Sequence, residues 1–382
     1  MDTLRYSYLL NFVQSFLPWN WRKKSLAGLL LKTALFFSAL ALTACGPGSM
    51  MSNWPGASVE NGVVFVAYQA HVYALRAENG AELWRFPPEA DNRIAFYAPP
   101  ALSPDGTQLI VGGFNHVLYS LNPQNGTEQW KFEESKYPYI AKALITEETI
   151  YAPTNGNLLY ALDRQGRKRW EFETKAPTWA APVYDVNCDC VYIASLDHVI
   201  YAVRAKDGVE LWQTKRLEGA IASTPVLGEN GVLYFGTFGN LFHAFDTRSQ
   251  VDLWTYQTSH WVWGSPLLLE TQVILTDLSG AIIALEAKSG RELWKFVTDA
   301  AITAAPALIE GVIYVGNENG NLYALDLQGT PIWQQPKKFD GKILSAVLSA
   351  ERTILVPLVA EERVVVALNS DGGETWSFQP AK

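Results

Sequence analysis

A tryptophan returns eight times along this chain, at Trp84, Trp130, Trp170, Trp212, Trp254, Trp294, Trp333 and Trp376. The spacings are 46, 40, 42, 42, 40, 39 and 43 residues. Self-similarity at roughly this period marks a repeat architecture, in which one supersecondary unit buries its apolar face only against its neighbours. Four residues before each tryptophan stand Gly80, Gly126, Gly166, Gly208, Gln250, Gly290, Gly329 and Gly372, so seven of the eight are glycine. Pairs such as Ala74-Leu75, Ala161-Leu162, Ala202-Val203 and Ala324-Leu325 precede the tryptophan by nine or ten residues.

Each unit reads as four short strands. In the fifth they are "STPVLG", "VLYFGTF", "LFHAFD" and "DLWTYQ". Alternating apolar residues, many β-branched or aromatic, mark the strands, and "ENG" and its relatives mark the turns. Four-stranded units of this length predict an all-β, eight-bladed β-propeller of antiparallel blades over residues 57–382, with no strand left over for ring closure by exchange. Glycine is expected to supply the positive-φ position of the turn before the outermost strand. The tryptophan on that strand is expected to lie between blades, with its indole N–H on a backbone carbonyl.

"LYALDRQGRKRW" (159–170) and "LYALDLQGTPIW" (322–333) resemble the tryptophan-docking repeat of the pyrroloquinoline-quinone-like propeller family. The resemblance runs through all eight units. It implies the fold, and functions that range from quinoprotein dehydrogenases to BamB-type outer-membrane assembly lipoproteins. The quinoproteins of this family carry two adjacent cysteines beside the quinone, together with Ca²⁺ ligands. Here the nearby pair is Cys188-Asp189-Cys190, which is not adjacent. No quinone or other cofactor is therefore expected. These two cysteines read as turn thiols or a local disulfide, and a metal site would need two more ligands.

The amino-terminal segment reads as an address. An apolar run from Thr33 to Ala44 follows Lys32, and its 12 residues suit a signal-peptide core better than a membrane span. Leu42-Thr43-Ala44-Cys45 resembles the lipobox of bacterial lipoproteins. The expectation is a signal peptide over 1–44, lipid on Cys45, a short tether over 45–56, and a mature protein anchored to a membrane without spanning it. Removing residues 1–44 leaves 25 basic and 37 acidic residues. Such a surface repels phosphate backbones, so nucleic acid is not an expected partner.

Other site chemistries find little support. There is no G-x-S-x-G elbow for a serine hydrolase. His71, His116 and His198 read as one repeat position where other units hold Asn157, Asn240 or Asn321, so they mark a turn rather than a metal site. The informative residues are the aromatics outside the repeat. Trp54, Trp179, Trp261 and Trp263 all lie just before an innermost strand, which often begins near a proline such as Pro182 or Pro266. Tyr97, Trp179 and Trp263 stand three residues before such a proline, Tyr139 is read as matching Trp263 ahead of Lys142, and Phe96, Tyr137 and Trp261 lie beside them, whereas Ala222 and Thr303 break the series. The eight aromatics are read as a lopsided rim at one mouth of the central channel, suited to a protein, peptide or glycan. The expected product is a monomeric, extracytoplasmic, non-catalytic protein-binding scaffold, with a cell-surface ligand-binding or sensory propeller as one alternative and a quinone-dependent oxidoreductase as the other.

Overall fold

The computed structural model describes residues 55–360 and 362–380. Blade 1 contains β1 (Gly56–Glu60), β2 (Val63–Tyr68), β3 (His71–Arg76) and β4 (Glu82–Phe86), each antiparallel to the next. Seven more sheets with the same sequential order cover 101–132, 144–173, 183–213, 226–257, 267–297, 307–338 and 348–378. The fold is all-β, an eight-bladed propeller of four-stranded antiparallel blades, and no helix occurs among the described residues.

Strand composition follows position in the blade. The two middle strands are covered on both faces by neighbouring blades and are almost continuously apolar; in Leu158–Asp163 every residue is buried. The outermost strands are covered on one face and alternate, as in Val251–Gln257, where Trp254 and Tyr256 are the more enclosed residues. The core is a ring of clusters that bridge consecutive blades. Phe65, Ala67 and Val72 of blade 1, for example, pack with Leu109, Val111 and Leu121 of blade 2.

The repeated tryptophan locks each blade to the next. Trp84 Nε1 donates to the Pro123 carbonyl at 2.9 Å, Trp130 to Arg164 at 3.0 Å, and Trp170 to Ala205 at 3.0 Å. Trp254, Trp294 and Trp376 make the same bond to Ala287, Leu327 and Ala77. The glycine of the following blade lies directly under the indole. A Cβ on Gly208 would sit 2.6 Å from Trp170, and one on Gly80 would sit 2.4 Å from Trp376. These glycines also hold φ near +71° and +72°. Two separate constraints therefore favour glycine at this position, the left-handed backbone and the indole above it. Within the blade, the tryptophan faces the small residue of the Ala-Leu pair, as Ala161 faces Trp170, and a β-bulge follows at once.

Two units depart from the pattern. Below Trp212 the glycine is replaced by Gln250, which keeps the positive φ at 58°. Trp212 packs between Tyr192 and Phe245 and makes no carbonyl bond among the described residues. Trp333, expected on an outermost strand, lies off it. Pro331 and Pro336 flank it, and the strand forms later, at Lys337–Lys338. Neither proline has an N–H for the ladder. Trp333 packs on Tyr314, with the Lys337 ammonium 5.4 Å from its ring centroid.

The ring closes without strand exchange. Blade 8 docks on blade 1 through Trp376 and a shared core in which Tyr73 meets Phe378. Trp170→Ala is expected to lower the unfolding free energy by about 3–5 kcal/mol. Trp212→Ala should cost about 1 kcal/mol less, because no carbonyl bond is lost. Urea denaturation of both variants checks the order, and equal losses would contradict it.

Candidate functional site

The mouth of the channel is built by two sets of segments. The loop approaching each innermost strand is tied by a backbone bond to the turn between the two middle strands of the same blade. Examples are Leu196 N to Pro177 O at 3.0 Å, Phe238 N to Ala220 O at 2.9 Å and Leu278 N to Trp261 O at 3.0 Å. These bonds fix the register of the loops, so successive loop residues alternate between solvent and core.

That register separates the candidate rim residues. Phe96 and Tyr139 fall at the same loop position as Thr178, Ile221, Val262, Ile302 and Ile343, and all seven are buried. Tyr139 is pressed onto Gly112, where a Cβ would lie 2.3 Å away. Its expected match with Trp263 is one residue out. The backbone pairings set Ala143, not Lys142, at the proline position, and Tyr139 at the position of Val262. Burial pushes the Tyr139 phenol up. Phe96 and Tyr139 thus fill the core and do not form the rim. Tyr97 shares the position of Trp179 but packs edge-on against Phe114 and is only 9% exposed.

Among the described residues, the half-exposed mouth aromatics are Phe114 on blade 2 and a larger group on blades 3 to 6. Trp179 and Trp263 stand at equivalent positions on blades 4 and 6, and their ring centroids are 6.1 Å apart. Blade 5 places Ala222 between them, and this small residue leaves the gap across which the indoles meet. Phe238, on the turn of blade 5, stacks on Trp261 at 4.8 Å and on Trp263 at 5.1 Å. Trp179 Nε1 donates to Asn155 Oδ1 at 2.7 Å, which fixes that indole. Tyr137 lies over Gly156, whose absent Cβ would be 2.2 Å from its ring. Cys45 and Trp54 lie outside the described residues. Sequence reasoning missed Phe238, although Phe114 at the same turn position of blade 2 was a usable signal.

Below the aromatics, Lys142 occupies the position of Thr224 and Ser265 in other blades. There Thr224 N donates to Ser265 Oγ and Ala181 N to Thr224 Oγ. Burial lowers the Lys142 pKa, while the Glu60 carboxylate acts in the opposite direction. Lys142 makes no ion pair among the described residues.

The remaining candidates are structural. Cys188 and Cys190 form a disulfide in the turn of blade 4. His116, His198 and Asn240 occupy positive-φ turn positions, which Gly280 and Gly320 fill elsewhere, while His71 falls one residue later and opens β3. The carboxylates with displaced pKa values move down. Asp91 falls to about 2 through its hydrogen bonds with Arg93. Asp105 is lowered by Ser103 and Arg164. At Asp299 burial acts upward, but donors from Asn317, Asn319, Asn321 and Tyr323 outweigh it and hold the carboxyl low. A general acid at neutral pH needs the opposite displacement.

The comparisons bear on what this arrangement belongs to. A family model described as outer membrane protein assembly factor BamB matches residues 21–195, 196–337 and 279–382. The chain belongs to this family. Among solved structures it is similar to BamB from Moraxella catarrhalis, with 20% identity, a TM-score of 0.69, and coverage of 81% of this chain and 92% of that one. It is also similar to the computationally designed Ika8 protein, with 12% identity, a TM-score of 0.68, and coverage of 86% and 97%. At these identities the structural likeness speaks for the BamB propeller fold alone. No curated protein matches.

The burial difference within the mouth is measurable. Phe96→Ala should lower the unfolding free energy by about 3–5 kcal/mol. Trp261→Ala, at a half-exposed position, should cost less than about 2 kcal/mol. Denaturation of the two variants under one set of conditions tests the assignment.

Proposed function

We propose that this protein is a non-catalytic, protein-binding scaffold of outer-membrane protein assembly, held at the membrane by lipid on Cys45. Family membership supports the assembly role. The observation that carries protein binding is the half-exposed cluster of Trp179, Phe238, Trp261 and Trp263 at one mouth of the propeller. Rigid aromatics with few rotatable bonds bury much area at low entropic cost, which is why tryptophan is enriched at binding hot spots. The fixed backbone around them means that a partner meets a preformed surface.

The sequence around Cys45 supports the anchor. A lipidated cysteine followed by a short tether keeps the propeller near the bilayer, and each buried acyl methylene contributes about 0.8 kcal/mol. Cys45→Ser should move the protein from the membrane fraction to the soluble fraction. Continued membrane residence would contradict the lipid anchor while leaving the scaffold reading intact.

Pull-down of the lipidated protein from its native membrane tests the scaffold reading. Trp179→Ala combined with Trp263→Ala should leave the melting profile nearly unchanged and reduce recovery of a barrel-assembly partner by at least about tenfold, the loss expected from one hot spot of roughly 1.4 kcal/mol or more. Recovery unchanged from the original protein would contradict the assignment of the mouth. Recovery of a soluble ligand in place of a membrane partner would favour a sensing propeller.

A further inference from the structure

We propose that the turn between the first two strands of blade 4 is a redox-gated site for a thiophilic divalent cation, built by Asp185, Cys188 and Cys190. It lies at the face of the blade opposite the aromatic mouth, beside the turn that precedes the outermost strand, where Ala205 N donates to Asp189 O. One ligand atom from each of the three residues lies within 4.8 Å of the other two.

The local fold holds these groups together. Asp185 ends the strand Val183–Asp185, Cys190 opens the strand Cys190–Ala194, and the two are direct partners in the ladder. Asp189, with φ at 48°, turns the chain so that Cys188 returns to the pair. Asp185 is 4% exposed, and its carboxylate is oriented by three donors. Asn187 N and Nδ2 reach Oδ1 at 2.9 and 3.1 Å, and the Tyr192 hydroxyl reaches Oδ2 at 3.0 Å. Ligands fixed by outer hydrogen bonds bind a metal without first having to be ordered.

The disulfide closes the site, because its sulfurs are not thiolates. A dithiol reductant opens it. Two electrons pass to the Cys188–Cys190 bond, the reductant leaves as its own disulfide, and two thiols remain in the turn. Cys188 is exposed and Cys190 buried, so a reductant meets Cys188 first. Cation binding then displaces the two thiol protons. Two thiolates and one carboxylate fill three positions of a tetrahedral Zn²⁺-type shell and leave the fourth to water. Thiolate donors favour this class of ion over Mg²⁺ or Ca²⁺.

The test uses Cd²⁺ and the full chain. The protein is reduced anaerobically with a phosphine, freed of reductant and titrated while the ultraviolet thiolate-to-cadmium band is followed. The proposal expects one Cd²⁺ per chain in the reduced protein and no band in the oxidised protein. Cys188→Ser with Cys190→Ser should abolish the band, which excludes a contribution from Cys45. Asp185→Asn, its folding checked by melting, should weaken binding by at least about tenfold. A reduced protein without the band, an equal response when oxidised, or a band that survives loss of both cysteines overturns the proposal. Asp185→Asn with unchanged affinity removes Asp185 from the site and overturns it as stated. The oxidised-versus-reduced comparison decides the matter even if that variant fails to fold.

Discussion

The contact between an indole and the glycine of the next blade is the constraint on which the ring depends. It sets the distance between outermost strands, because the indole must reach a carbonyl beyond the turn while lying flat on a residue without a side chain. It also seals the ring. Trp376 donates to Ala77 across a sequence separation of 299 residues, with the geometry found between consecutive blades. A propeller closed in this way needs no exchanged strand, since its first and last blades meet as any other pair does. Where Gln250 replaces the glycine, Trp212 makes no carbonyl bond among the described residues, although the stacked aromatics remain.

This economy has a consequence for function. Residues that recur in every blade are consumed by folding, so binding is left to positions where the blades differ. The mouth loops are such a place. Their inward-facing position is buried in blades 2 to 8, while the adjacent position varies from tryptophan to alanine and threonine. Trp179 and Trp263 meet because Ala222 separates them, and Phe238 fills the space beside Trp261. The asymmetry gives one sector of an otherwise near-symmetric ring an aromatic character. We propose this sector as the place where a partner docks in the assembly role that BamB family membership supports.

Much of the fold was legible because one repeated phrase encodes turn, strand and dock together. Trp333 escaped the pattern for a local reason, since two prolines withhold the donors that an outer strand needs. The mouth was legible only in part. Spacing places a residue at a level along the axis, but a shift of one residue turns its side chain from solvent to core, as Tyr139 shows. Phe238 carries no spacing signal because it stands on a turn, away from the loops that hold the unrepeated tryptophans. Asp185 was missed as a neighbour of Cys188 and Cys190 because the ladder, not the sequence, brings it beside them.

The proposed scaffold role requires that partners meet this protein at the unrepeated aromatics of one mouth. A photo-reactive amino acid at Phe238, compared with one at Val186, which is 75% exposed on the opposite face, tests it most directly in native membranes. A discrete crosslink to a barrel-assembly component is expected from position 238 and none from position 186. Equal crosslinking from both positions, or crosslinking from 186 alone, would contradict it.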